Sequence, residues 1–227
     1  MNTGLLAKQD FVQQHLNVSL GRRPCPLFSL VRYPQFQIMN KHQYKDLTIE
    51  VFDNSTYKFD SADNNFNYAK HYFGSGVREY PTSKHGIRIY QEEEEVSSCI
   101  IIGSGGTTGI QEHSSLIDNS NILVCCCDTV FSLTLPDLEL KWKVQADQAT
   151  CFEIYKLQDD FVVHGEIEIT RLDNQGNIKW KFGGADIFVS FDNEKAFKLK
   201  TDHIELTDFY NMKYKIDFDG NLIQKVG

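Results

Sequence analysis

The sequence predicts a mainly β fold, a meander of short antiparallel sheets with one N-terminal helix, on three observations. Apolar and polar residues alternate through Leu138–Val144, Ile178–Phe182 and Met212–Phe218, the period-2 mark of strands with one buried face. Turn-forming clusters separate these runs: Pro136-Asp137, Asp173-Asn174-Gln175-Gly176-Asn177 and Asp219-Gly220-Asn221. The runs also recur. Pro136–Val144 aligns with Asn174–Phe182 at a spacing of 38, and that segment aligns with Phe218–Val226 at a spacing of 44. A period near 40 with several short strands per unit is what propeller blades show.

The elements follow in chain order. Residues 4–16 place Leu5, Lys8, Val12 and Leu16 near one helical face. Residues 20–36 hold Pro24, Pro26 and Pro34 and read as extended coil. Leu47–Phe52 alternates, Asp53-Asn54-Ser55 turns, and Tyr57–Phe59 returns, which predicts a hairpin. Residues 60–76 are polar, aromatic and Gly-containing and read as a long loop. Ile87–Tyr90 and Ser98–Ile102 are two strands flanking the acidic run Glu92–Glu95. Residues 1–114 thus hold a helix, hairpins and a Gly-rich loop, and residues 115–227 hold three blade-like repeats. The strands at 47–59 and 86–102 could supply a fourth sheet. The predicted architecture is an incomplete or small propeller, with a β-sandwich as the alternative.

Asp173-Asn174-Gln175-Gly176-Asn177-Ile178-Lys179-Trp180 carries a family resemblance. A Gly turn before a strand ending in Trp is similar to the propeller repeats of the pyrroloquinoline-quinone type, over about residues 115–227. The resemblance implies blade-like architecture. No cofactor residues carry over, and no cofactor is expected.

Composition bounds the function. The 227 residues are 41% apolar and 12% aromatic, enough for a sizeable core and too apolar for extended disorder. Lys+Arg 23 against Asp+Glu 31 gives a net charge of −8. Residues 1–99 are balanced at 11 and 11, so the whole excess lies in residues 100–227, with 12 basic and 20 acidic side chains. Such a field disfavours nucleic acid and anionic membranes and attracts a cationic protein. Arg22-Arg23 and Lys41-His42 are too sparse for a nucleic-acid patch. The N-terminus has no basic segment followed by an apolar one, so the expected location is cytoplasmic. The six cysteines include the run Cys125-Cys126-Cys127. They are expected to be reduced thiols, with Cys125 and Cys127 on one strand face and Cys126 on the other.

Two segments invite a chemical reading. Gly103-Ser104-Gly105-Gly106-Thr107-Thr108-Gly109 follows a strand, as phosphate-binding loops do. No helical stripe follows it, and no Lys-Ser/Thr pair, so neither a dinucleotide fold nor a P-loop is indicated. His164-Gly165-Glu166-Ile167-Glu168-Ile169 reads as one strand presenting His164, Glu166 and Glu168 on its outer face. One His and two carboxylates could hold a divalent metal, but alternation alone also explains them. A Cys151–His164 pair is not required by any spacing.

The function expected is therefore non-catalytic protein binding. Partner contacts are expected at Glu166, Glu168, Asp173 and His164, with no metal and no catalytic residues. Bacterial immunity proteins, which neutralise cationic nuclease toxins, are one class with this small, acidic profile. A small hydrolase or metal enzyme using the 103–115 loop or the His164 face is the alternative. A scaffold or oligomer component is the third.

Overall fold

A computed structural model of the chain describes residues 39–74, 76–77, 80–190 and 194–227. The expected helix at 4–16 and the coil at 20–36 lie outside these residues. Within them there is no α-helix. Seventeen strands form four sheets. The first holds β1 (Met39–Tyr44), β2 (Leu47–Asp53), β3 (Lys70–Phe73), β4 (Ser83–Gln91) and β5 (Glu94–Gly103), in the order β1-β2-β4-β5-β3. The second is the meander β6 (Ser115–Asp118), β7 (Asn121–Cys126), β8 (Thr129–Thr134) and β9 (Leu140–Gln145). The third is β10 (Cys151–Leu157), β11 (Asp160–Gly165), β12 (Glu168–Leu172) and β13 (Ile178–Gly183). The fourth is β14 (Phe197–Leu199), β15 (Ile204–Thr207), β16 (Lys213–Ile216) and β17 (Leu222–Val226). Short antiparallel meanders repeated in sequence are the construction of propeller blades.

Side-chain patterning fixes the stacking order. In β7, Ile122, Val124 and Cys126 join the core shared with the first sheet, while Leu123 and Cys125 join the core shared with the third. In β11, Phe161 and Val163 face the second sheet and Val162 faces the fourth. The central positions of these strands are apolar on both faces because both faces are covered. The fourth sheet buries Ile204, Leu206, Tyr214 and Ile216 on one side only. Among the described residues, no core joins the fourth sheet back to the first.

Several expectations are corrected here. Tyr57–Phe59 is not a strand; β2 pairs with β1 and β4 instead. Tyr57 leaves the sheet edge to pack with Tyr68, Val77 and Ile102 over the outer side of the first sheet. The 60–76 segment is not wholly loop, since β3 adds to β5 in parallel. The cysteine run also divides differently. Cys127 sits in the β7–β8 turn at φ 54, so it leaves the strand alternation and packs with Cys126 towards the first sheet. The five described cysteines are buried free thiols.

The edge strand of each sheet grips a turn of the next. Tyr72 on β3 donates its hydroxyl to the Leu138 carbonyl at 2.6 Å, in the β8–β9 turn. Trp142 on β9 donates from Nε1 to the Asn174 carbonyl at 3.3 Å, and Trp180 on β13 to the Phe218 carbonyl at 2.9 Å. Both receiving turns have one construction. Asp173 Oδ1 accepts the backbone N–H of Gln175 and Asn177, and Oδ2 accepts the Asn177 amide; Asp217 does the same with Asp219 and Asn221. The Asn amides lead in holding both carboxyls below their ordinary value. Gly176 and Gly220 lie at φ +84 and +82, under the indole rings. A Cβ would come within 2.6 Å of Trp142 and 2.8 Å of Trp180, so only glycine admits the ring. The two indoles occupy equivalent positions as the repeat predicts, but they are half-buried, being at the edge.

Candidate functional site

The first strands of the sheets, β1, β6, β10 and β14, carry polar and aromatic side chains that touch from one sheet to the next. His42 Nε2 lies 2.7 Å from Ser115 Oγ. Burial lowers His42 below the ordinary histidine value, which favours the neutral ring. His113 packs on Tyr155, with ring centroids 4.5 Å apart. Tyr155 stacks on Phe197 at 4.9 Å, and Phe197 stacks on His164 at 5.3 Å.

His164 and Glu153 form the centre. His164 Nε2 is 3.0 Å from the Phe188 carbonyl, and Nδ1 is 2.9 Å from Glu153 Oε2. A carbonyl only accepts, so Nε2 carries hydrogen and donates. Burial pushes the Glu153 carboxyl up, but the hydrogen bond and charge of His164, with Tyr155 and His113 behind them, outweigh it and leave the carboxyl lowered. Nδ1 faces the Glu153 carboxyl, so protein groups engage both ring nitrogens. Burial, then Glu153, raises the Tyr155 phenol above its ordinary value and keeps it a donor. A bulge between Cys151 and Glu153 leaves Phe152 out of the strand register. Phe152 and Glu153 are in consequence both half-buried.

Around this pair lies a cavity of about 260 Å³, lined by Gln111, Phe152, Glu153, His164, Phe188 and Glu194 among others. It unites the two segments that the sequence offered separately, the 103–115 loop and His164. The loop is held by its own hydrogen bonds. Gly106 N–H donates to the Ala149 carbonyl, Thr108 N–H to Ser83 Oγ and Thr108 Oγ1 to the Cys151 carbonyl. These donors face protein acceptors and form no phosphate cradle.

The predicted outer face at 164–169 is not one strand. The chain bends at Glu166 and Ile167, between β11 and β12. Asp147, 20 residues earlier, accepts Ile167 N–H at 3.0 Å and Glu168 N–H at 2.8 Å on Oδ2, which holds the bend. His164 stays in β11, on the face of Val162 that the fourth sheet covers, and is 7% exposed. Glu166 accepts from Thr150 Oγ1 at 2.6 Å, and Glu168 pairs with Lys181 at 2.6 Å. Asp173 belongs to the turn at the opposite end of β12. The structure therefore places Glu166 beside His164 and separates Asp173 from both. Among the described residues, no three His, Cys, Asp or Glu side chains cluster as metal ligands. Glu153, Phe152, Tyr155 and Gln111 escaped the sequence reading. Their one signal was the alternation in Phe152-Glu153-Ile154-Tyr155, which marks a strand and not a site.

The Glu153–His164 pair makes stability pH-dependent with a definite sign. A depressed carboxyl stabilises the fold above its unfolded value of about 4.3, and that contribution is lost as pH falls through the lower folded value. Glu153→Gln is therefore expected to lower the urea midpoint at neutral pH. The gap from the unmodified protein should close below about pH 4. A gap independent of pH would contradict the ion pair.

Comparison with known proteins gives no match to a family model and none to a curated protein sequence. Solved structures match at low identity. The chain is similar to the AfRom2 CNH domain, at 12% identity and a TM-score of 0.47, covering 98% of this chain and 60% of that one. It is similar to BamB from Moraxella catarrhalis, at 13% identity and a TM-score of 0.44, over 84% of this chain and 48% of that one. A third match is the computationally designed Ika4 protein, at 10% identity and a TM-score of 0.41, over 54% of this chain and 79% of that one. The chain thus spans 60% of the length of the first and 48% of the second. Among the described residues no helix is long and apolar enough to cross a membrane.

Proposed function

We propose that the chain is a non-catalytic protein-binding module, cytoplasmic, whose cavity at Glu153 and His164 receives a basic side chain of a cationic protein. The carrying observation is the hydrogen bonding of His164. Both ring nitrogens are engaged by fixed protein groups, the Glu153 carboxyl and the Phe188 carbonyl, so neither is open to a substrate proton, a nucleophile or a metal. What the pair offers is a fixed carboxylate. Half-buried Phe152 stands beside it and the exposed carboxyls of Glu112 and Glu194 lie near the rim. An aromatic wall with nearby carboxylates suits Arg or Lys. Glu166, next to this cavity, fits the same reading, as does Glu168 on the following strand. Inhibition of a cationic toxin is the instance that best suits the charge of −8.

Affinity capture from the native cell, followed by reconstitution with the purified partner, tests the proposal. Glu112→Lys with Glu194→Lys should slow association about tenfold at low salt and little at high salt. Phe152→Ala should chiefly speed dissociation. A captured partner that is acidic, or rates that none of these changes moves, would overturn it.

A further inference from the structure

We infer that the outer face of the fourth sheet is a basic dock for the acidic β4–β5 hairpin of a second copy of this chain. The fourth sheet ends the stack, and its strands alternate. Phe197, Leu206 and Tyr214 face the core, while Lys198, Glu205, Thr207, Lys213 and Lys215 face away from it. That outer face carries a groove of about 370 Å³. Lys195, Lys198, Lys213 and Lys215 line it. Its carboxylates do not balance them. Glu205 turns to Lys200 at 3.3 Å and to His203 at 3.4 Å, and Glu194 reaches Lys198 only at 3.9 Å. Lys195, Lys213 and Lys215 have no ion pair among the described residues. Glu205 alone stands between Lys198 and Lys215 across the strands, and four lysines against two glutamates is unexpected on a protein of net charge −8.

The complementary surface lies on the sheet at the other end of the stack. The β4–β5 turn projects Glu92 and Glu93 at φ 47 and 73. Glu92, Glu93 and Glu94 are exposed and make no ion pair among the described residues. Each patch has an exposed apolar neighbour, Val96 at 48% beside the glutamates and Val226 at 51% beside the lysines. Docking would bring both charge complementarity and apolar contact. Acidic and basic patches on opposite end sheets cannot meet within one stack, because the second and third sheets lie between. They meet between copies, head to tail, so that one such contact already joins two copies.

Sedimentation velocity of the full chain over a concentration series, at low and high salt, reads the association directly. The unmodified protein is expected to form a pair at low salt that dissociates as salt rises. Glu92→Lys, Glu93→Lys and Glu94→Lys together, or Lys195→Glu, Lys213→Glu and Lys215→Glu together, should each weaken it by at least about tenfold. All six positions are exposed or half-exposed, and circular dichroism checks the fold of each variant. Mixing the two variants is the decisive arm. Lysine tips then face glutamate grooves, glutamate tips face lysine grooves, and the pair should return. A protein that is monomeric at every concentration and salt would overturn the inference. So would triple variants that associate like the unmodified chain, or a mixture that stays monomeric.

Discussion

Asp147→Ala is expected to cost about 4 kcal/mol or more of folding stability, the largest effect of any single polar substitution described here. Asp147 is 0% exposed and its carboxylate accepts four backbone N–H groups. Ala149 and Thr150 donate to Oδ1 at 2.6 and 3.0 Å, and Ile167 and Glu168 donate to Oδ2 at 3.0 and 2.8 Å. Thus one side chain holds the connection into the third sheet and the bend between β11 and β12. Alanine would leave four donors without acceptors, at about 1–3 kcal/mol for each that water cannot reach. Asp147→Asn should fall between, since its amide puts a donor against donors. Asp173→Ala is the control. It also removes three hydrogen bonds, but on an exposed turn where water replaces them. Urea unfolding followed by circular dichroism measures all three. Equal losses for Asp147→Ala and Asp173→Ala would refute the argument from burial.

Trp180→Ala should destabilise by about 3 kcal/mol, at the low end of large aromatic truncations because the ring is half-buried. It removes the cover over Gly220 and the Nε1 bond to Phe218. The fourth sheet should then open before the others, since each sheet in a stack is held by its neighbours. Gln224 occupies the same register in β17, but no further turn lies under it and it is exposed. Gln224→Ala is therefore expected to stay within about 0.5 kcal/mol of the unmodified protein. Gly220→Val should match or exceed Trp180→Ala, since it places a branched side chain at φ +82 beneath the indole. Similar stability of Trp180→Ala and Gln224→Ala would show that the indole does not lock the two sheets.

The two matching hydrogen-bond sets at Asp173 and Asp217 explain why the repeat was readable. Asp, Gly and Asn at fixed offsets build the turn from residues within five positions, so the pattern survives in the sequence. Trp142 and Trp180 repeat because each must reach the same turn in the next sheet. The candidate site left no such trace. His164 read as outward-facing because His164, Glu166 and Glu168 alternate with Ile167 and Ile169, which is the signature of a continuous strand. Asp147 breaks that strand by capturing the N–H groups of Ile167 and Glu168, and nothing near residue 164 announces it. Cys127 shows the same limit in one residue, where a left-handed turn cancels the alternation that the cysteine run implied.

The sequence by itself determined the mainly β character, the turn chemistry and the length of the repeat. All of these depend on residues a few positions apart and on which strand faces are apolar. Only the tertiary structure decided where function could reside. Gln111, Glu153, His164, Phe188 and Phe197 come from the third and fourth sheets and from two connections, and they meet because the sheets pack together. The lowered Glu153 carboxyl rests on His164, its cross-strand neighbour in the third sheet, a pairing that only the folded β10–β11 hairpin makes.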